Sequence, residues 1–214
     1  MKGSGLFCRQ FFRSFHTTGS IVPSSRYLAR ALAAPLREIE GPRKILEAGP
    51  GTGPVTSQLI ASLRPDDTLT LCEINETFAD HLETRLDKDP EWAGKRAQIT
   101  LIRRDVREVL GPGSYHMVVS GLPLNNFTPA FVQEVVSGFV VSLLPGGFHT
   151  FFEYVGIRRM KMRIGPAKER ERMTQVEKAV CETLAGCSWS RATVFANLPP
   201  AWVYSVQPSG SWIS

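Results

Sequence analysis

Three glycines within five residues, Gly49, Gly51 and Gly53, separate an apolar run from a helix-forming one, and no other feature constrains the fold as strongly. Lys44–Ala48 ahead of them reads as a strand. Behind them Pro54 suits a first helical position, and Val55, Leu59, Ile60 and Leu63 recur on a helical period. A strand that turns at once into a helix needs residues that accept positive φ, which glycine does without a Cβ penalty. The same rhythm continues. Strands are predicted at 68–73, 99–103, 115–120 and 148–155. Helices are predicted at 76–86 and 129–144, the second closed by Pro145-Gly146-Gly147, with a short helix after Asp105. Such alternation predicts an open, mostly parallel α/β sheet with helices on both faces. The end differs. Strands at 190–196 and 202–206 are joined only by Asn197-Leu198-Pro199-Pro200, so a seven-stranded sheet with a reversed last strand is expected.

The 214 residues, 43% hydrophobic and 21% charged, suit one globular domain. Residues 1–40 read as an N-terminal helical segment and 41–214 as the main domain. No apolar run reaches the roughly 18 residues of a membrane-spanning helix. Arg9 and Arg13 interrupt the apolar core that a secretory leader needs, so a cytoplasmic location is expected. Cys8, Cys72, Cys181 and Cys187 form no CxxC pair, and no metal site is expected. The net charge of +5 is unevenly spread. Residues 1–37 carry six basic side chains and no acidic one; residues 156–178 carry eight basic and three acidic, which leaves an acidic body. Basic segments seek anions, either nucleic acid or an anionic membrane surface.

Glu47, two residues before the first glycine, narrows the ligand. Dinucleotide folds bring a pyrophosphate to this turn, which a carboxylate would repel; the ammonium group of S-adenosylmethionine would be attracted. Thr52 also departs from the dinucleotide pattern. Glu73 ends the second strand, where a carboxylate can accept both ribose hydroxyls, and Asp105 follows the third, beside the adenine edge. Ile74 and Val106 follow these acids and are assigned to the cofactor with them, as are Gly49, Gly51, Gly53 and Ser120. Three acids at three successive strand ends are far more specific than a glycine-rich turn alone.

Residues 45–53 with Glu73 and Asp105 resemble the class I, Rossmann-like S-adenosylmethionine-dependent methyltransferases, across roughly residues 43–206. Three further segments are similar to the bacterial phospholipid N-methyltransferases. They are Phe11-Phe12-Arg13-Ser14 with Gly19 to Ala29, Ser120-Gly121-Leu122-Pro123-Leu124-Asn125-Asn126-Phe127, and Asn197-Leu198-Pro199-Pro200-Ala201. This resemblance implies methylation of phosphatidylethanolamine towards phosphatidylcholine, with S-adenosylhomocysteine as product.

Residues 5–16, if helical, place Phe7, Cys8, Phe11, Phe12 and Phe15 on one face, with Arg9, Arg13 and His16 towards the other. Such a helix suits a membrane interface, or packs its Phe face on the domain. An anionic membrane and its lipid are therefore the expected partners, at the inner face of the cytoplasmic membrane, with no obligate protein partner. The competing enzymes methylate adenine N6 in ribosomal RNA and carry a polar residue and an aromatic after strand four. Here that stretch is Gly121-Leu122-Pro123-Leu124, which offers neither amide nor stacking ring. A lipid amine instead needs a headgroup clamp, for which Ser24, Ser25, Arg26 and Asn125 are candidates. Tyr27 and Tyr154 could face a methylated ammonium, and Glu153 could attract the cation or accept a proton. The residues leave open an ornithine-type aminolipid as acceptor, the RNA reading, and a relative that binds membranes without catalysis.

Overall fold

A computed structural model describes residues 25–156, 163 and 166–209. Ser24, the Phe-rich segment 5–16 and Arg158 to Met162 lie outside the described residues.

The chain first forms helix α1 (Arg26–Ala33). Ser25 caps it, its Oγ accepting from the Leu28 N–H at 3.2 Å, a bond typically worth about 1 kcal/mol. Leu28, Ala29, Leu32 and Leu36 turn inward and are at most 1% exposed. They join the same core as Ile45, Leu59 and Val203. The Thr150 hydroxyl ties α1 to the sheet by donating to Leu32 O at 3.0 Å. The boundary expected after residue 40 therefore falls behind a helix whose apolar face is part of the main core.

There follow β1 (Lys44–Ala48), α2 (Pro54–Ala61), β2 (Thr68–Cys72), α3 (Glu76–Lys88), the single turn α4 (Pro90–Ala93), β3 (Ile99–Ile102) and β4 (Tyr115–Ser120). The chain continues through α5 (Pro129–Val141), β5 (Leu143–Tyr154), α6 (Ala167–Leu184), β6 (Cys187–Val194) and β7 (Ala201–Pro208). One seven-stranded sheet has the order β3-β2-β1-β4-β5-β7-β6. Its first five strands pair parallel, and β7 runs antiparallel to both β5 and β6. This is the expected sheet, with its last strand reversed.

Two regions differ from the sequence expectation. Helix α6 was not anticipated because eight of its 18 residues are charged; only a narrow stripe of Met173, Val176, Ala179 and Leu184 is buried. Strand β5 begins at Leu143, so Pro145-Gly146-Gly147 lies within it rather than closing a helix. The register with β4 shifts between Tyr115 and Met117, and a Cβ at Gly147 would lie 2.9 Å from His116 O. The run is a bulge that only small residues can make.

At the amino edge of the sheet Arg43 and Asp67 form a buried ion pair. Asp67 accepts from Arg43 N at 2.8 Å, from Arg43 Nε at 2.9 Å and from Arg64 N at 2.6 Å. Arg43 Nη1 and Nη2 also reach the carbonyls of Leu36 and Ser62. Burial raises the Asp67 pKa, but the Arg43 guanidinium and the two backbone N–H groups outweigh it and hold the carboxyl below its ordinary value.

Candidate active site

The carboxyl ends of β1, β2, β3 and β4 border a half-open cleft, lined by Gly49, Cys72, Glu73, Ile74, Asp105, Val106, Leu122, Phe127 and Phe131 among others. It lies at the switch point, where neighbours β2 and β4 leave β1 on opposite sides. Glycine makes the opening possible. Gly49 and Gly51 have φ of +70° and +58°, and a Cβ on Gly49 would sit 2.6 Å from Leu122 Cδ2. Gly121, across the cleft, is tighter still: a Cβ there would lie 2.5 Å from Gly49 O. Two backbones are thus in direct contact, and Gly121 N donates to Ala48 O at 2.9 Å.

Glu47 is 1% exposed, and its Oε2 has no hydrogen-bond partner. Burial pushes its carboxyl up to about 8; Thr56 opposes this and the Glu73 charge adds to it. A buried polar atom without a partner costs roughly 1–3 kcal/mol or more, and this one belongs to an acid two residues before Gly49, which lines the cleft. Glu73 accepts from Gly51 N at 3.0 Å and from Asn75 N at 2.8 Å. Burial raises its pKa, and those backbone donors moderate the rise. It thereby holds the glycine loop against β2.

Asp105 caps the short turn Val106–Glu108, accepting from Arg107 N at 3.1 Å. The Arg107 guanidinium grips both carboxylate oxygens, at 3.0 and 2.7 Å. Burial raises the Asp105 pKa, but Arg107 outweighs it and holds the carboxyl below its ordinary value. Arg107 also bonds Glu134 at 3.0 Å and lies 4.9 Å over the Phe131 ring. With Phe127 it forms a wall that sequence reasoning missed, because Phe131 is indistinguishable from a core residue of α5. Cys72 was also missed. Burial, and then the Glu73 and Asp105 charges, push its thiol up to about 12, which disfavours the thiolate at neutral pH.

The remaining candidates are spread along this edge of the sheet. Ile74 and Val106 line the cleft with Glu73 and Asp105. Thr52 is exposed on the glycine loop, and Gly53 (φ +84°) packs where a Cβ would meet Trp92 at 2.7 Å. Ser120 is fully buried, and its Oγ accepts from Leu122 N at 3.3 Å. Asn125 stands in the loop after β4 with its Oδ1 buried and unpartnered; Arg172 of α6 fixes this loop by donating to the carbonyls of Asn125 and Phe127 at 2.9 and 2.7 Å.

Ser25, Arg26, Tyr27, Glu153 and Tyr154 gather farther along the same edge. Asn197 Oδ1 accepts from Ser25 N at 2.9 Å, which sets α1 beside the β6–β7 turn. Arg26 donates to Tyr27 Oη at 2.9 Å, which lowers that phenol's pKa. Burial raises the Tyr154 pKa. Tyr154 ends β5 after Glu153, which pairs opposite Trp202, and Tyr27 lies in the first turn of α1.

The residues fit S-adenosylmethionine: an orphaned acid for its ammonium, Glu73 for ribose hydroxyls, and an apolar wall for adenine. Solved structures agree in fold. The chain is similar to the O-methyltransferase TomG from Streptomyces achromogenes, in complex with SAM, at 19% identity and TM-score 0.68, over 98% of this chain and 91% of that one. It is similar also to an O-methyltransferase from Bacillus cereus, in complex with SAH, at 15% identity and TM-score 0.65, over 98% and 92%. Fold and site define an S-adenosylmethionine-dependent methyltransferase of class I. No family model matches the chain. A relative does: the ornithine lipid N-methyltransferase of Singulisphaera acidiphila is 30% identical over 155 residues, 69% of this chain and 76% of that protein. The chain belongs to the family of that enzyme.

Proposed function

We propose that this methyltransferase acts on the amine of a membrane lipid headgroup, with an ornithine lipid as first acceptor and phosphatidylethanolamine as second. The observation that carries the reading is the kinship with an ornithine lipid N-methyltransferase. The loop after β4 is consistent with it. Gly121 has no room for a side chain, and Leu122 and Leu124 are buried, so the polar and aromatic grip on a flipped base is missing.

S-adenosylmethionine, when bound, supplies a methyl group on a sulfonium that an amine lone pair can attack. The chain's own part is placement and proton handling. Glu47 would anchor the cofactor's ammonium, and Glu73 its ribose. The apolar wall of Ile74, Val106, Phe127 and Phe131 would exclude water from the adenine side. The acceptor nitrogen must come within about 3–3.5 Å of the methyl carbon with its lone pair free. Asn125 Oδ1, buried and unpartnered, is a ready acceptor for an amine N–H. Tyr27 and Tyr154 offer ring faces to a cation as methyl groups accumulate. The proposal includes peripheral association with a membrane surface; among the described residues no helix is long and apolar enough to cross one.

Transfer of labelled methyl from S-adenosylmethionine should be measured on ornithine lipid, phosphatidylethanolamine and ribosomal RNA in parallel. Label in ornithine lipid is expected. Label in phosphatidylethanolamine alone would replace the first acceptor with the second, and label in RNA alone would overturn the reading.

A further inference from the structure

The turn joining β6 to β7 carries two large apolar side chains in the open: Phe195 is 80% exposed and Leu198 is 78% exposed. Two such residues on one turn are unusual for a water-facing tip and form the start of an apolar patch. The turn lies at the carboxyl edge of the sheet, because Ala201 of β7 pairs with Tyr154 at the end of β5. It therefore shares an edge with the cofactor cleft. From β1 to β7 there are three strand-to-strand steps, about 14 Å at roughly 4.8 Å each.

Two properties separate this tip from an ordinary exposed loop. First, no charged residue occurs anywhere from 192 to 214, so nothing ionised has to be dehydrated with Phe195 and Leu198. Second, much of its backbone polarity is already satisfied. Pro199 and Pro200 have no N–H to satisfy. Asn197 Nδ2 donates to Pro199 O at 2.7 Å, and Val155 N donates to Pro200 O at 2.8 Å. Asn197 itself is 4% exposed and spends its Oδ1 on Ser25 N. Entry into hydrocarbon requires backbone groups to be satisfied internally.

The charges stand around the tip, not on it. The Asn197–Ser25 bond brings the start of α1 alongside, where Arg26 and, one turn on, Arg30 are exposed. Tyr27, 43% exposed, lies between them. On the next strand Arg191 covers the Trp202 ring at 4.6 Å. An apolar wedge flanked by cations and amphipathic aromatics matches an anionic bilayer, acyl chains for the wedge and headgroups for the arginines.

We propose that the β6–β7 turn, with Phe195 and Leu198 as its wedge and Arg26 and Arg30 beside it, seats the enzyme on an anionic lipid bilayer. This rests on the lipid-acceptor reading for its purpose, though not for its test. Seated so, the carboxyl edge faces the membrane, and the cofactor cleft opens towards the headgroups it would serve.

The test uses the full chain with phosphatidylcholine vesicles, with and without phosphatidylglycerol, and the double substitution Phe195→Ser with Leu198→Ser. Both sites are exposed, so melting temperature and S-adenosylhomocysteine affinity should stay as in the parent. Partitioning onto the anionic vesicles should fall at least about tenfold, the scale of losing two buried apolar side chains. A separate Phe195→Trp variant should be quenched by brominated lipid more strongly than the parent. Unchanged partitioning and no added quenching overturn the proposal. So does a change in oligomeric state without a change in vesicle binding, which would give the tip to a second copy of the chain. Normal lipid methylation with unaltered partitioning would sink the docking role and leave the acceptor reading standing. Tip-dependent binding without methylation of any lipid amine would do the reverse.

Discussion

Two equally buried acids at opposite ends of β1 contrast in how the protein satisfies them. At its amino edge Asp67 accepts from Arg43 and from two backbone N–H groups, and its pKa is held low. At its carboxyl end Glu47 is as deeply buried, lacks a partner on Oε2, and has its pKa pushed to about 8. The first acid is complete within the protein and works for stability. The second is incomplete within the protein, and in the proposed function the ammonium of S-adenosylmethionine would complete it. The difference separates an acid satisfied by its own fold from one that is not.

Substitutions at the two acids should have opposite consequences. Asp67→Ala strands the Arg43 guanidinium and should destabilise by about 3–5 kcal/mol. That lowers the melting temperature by about 10 °C for a domain of this size. Thermal unfolding checks it, and a loss below about 1 kcal/mol would erase the contrast. Glu47→Gln should leave stability near neutral pH unchanged or improved. It should weaken S-adenosylhomocysteine by about 10–100-fold, the value of a hydrogen bond to a charged group. Calorimetric titration would read that directly.

A third expectation concerns pH. Because the Glu47 pKa is raised on folding, below its unfolded value near 4.5 both states are protonated and nothing is lost. As pH climbs from there to about 8 the unfolded chain gives up its proton first, so the apo protein loses stability across that window. A cationic ligand needs the carboxylate, so its affinity should rise about tenfold per pH unit up to about 8 and then level off. Proton release on binding, seen as buffer-dependent heat at pH 7, would accompany it. Affinity that is flat between pH 6 and 8 would mean Glu47 is not the ammonium site. The smallest effect is expected from Thr56→Val. Thr56 draws the Glu47 pKa down, so removing its hydroxyl should move the midpoint of that pH profile upward. Stability should change by no more than about 1 kcal/mol, because the buried hydroxyl has no hydrogen-bond partner within the protein to lose.

The two acids also mark how far the sequence could be read. Glu47, Glu73 and Asp105 were legible because each ends a strand before a turn, and strand ends in an open α/β sheet converge by topology. Arg43 and Asp67 lie 24 residues apart with no local pattern linking them, and only the parallel pairing of β1 and β2 brings them together. Arg107 was invisible for a related reason. Its hold on Asp105 is local, but its contact with Phe131 depends on how α5 crosses the cleft. Helix α6 was missed through its charge, and the start of β5 through a proline and two glycines that form a bulge. What periodicity encodes was readable; what only tertiary approach creates was not.

The contact between Gly49 and Gly121 joins two loops of the cleft into one mechanical unit. Any side chain at 121 would strike the Gly49 carbonyl oxygen, which a Cβ there would approach to 2.5 Å. Under the proposed function, acceptor choice and cofactor grip are therefore coupled at this position. A polar residue at 121, of the kind that would clasp a nucleobase, requires the glycine loop to shift with it. The touching backbones tie the shape of the loop after β4 to that of the loop after β1.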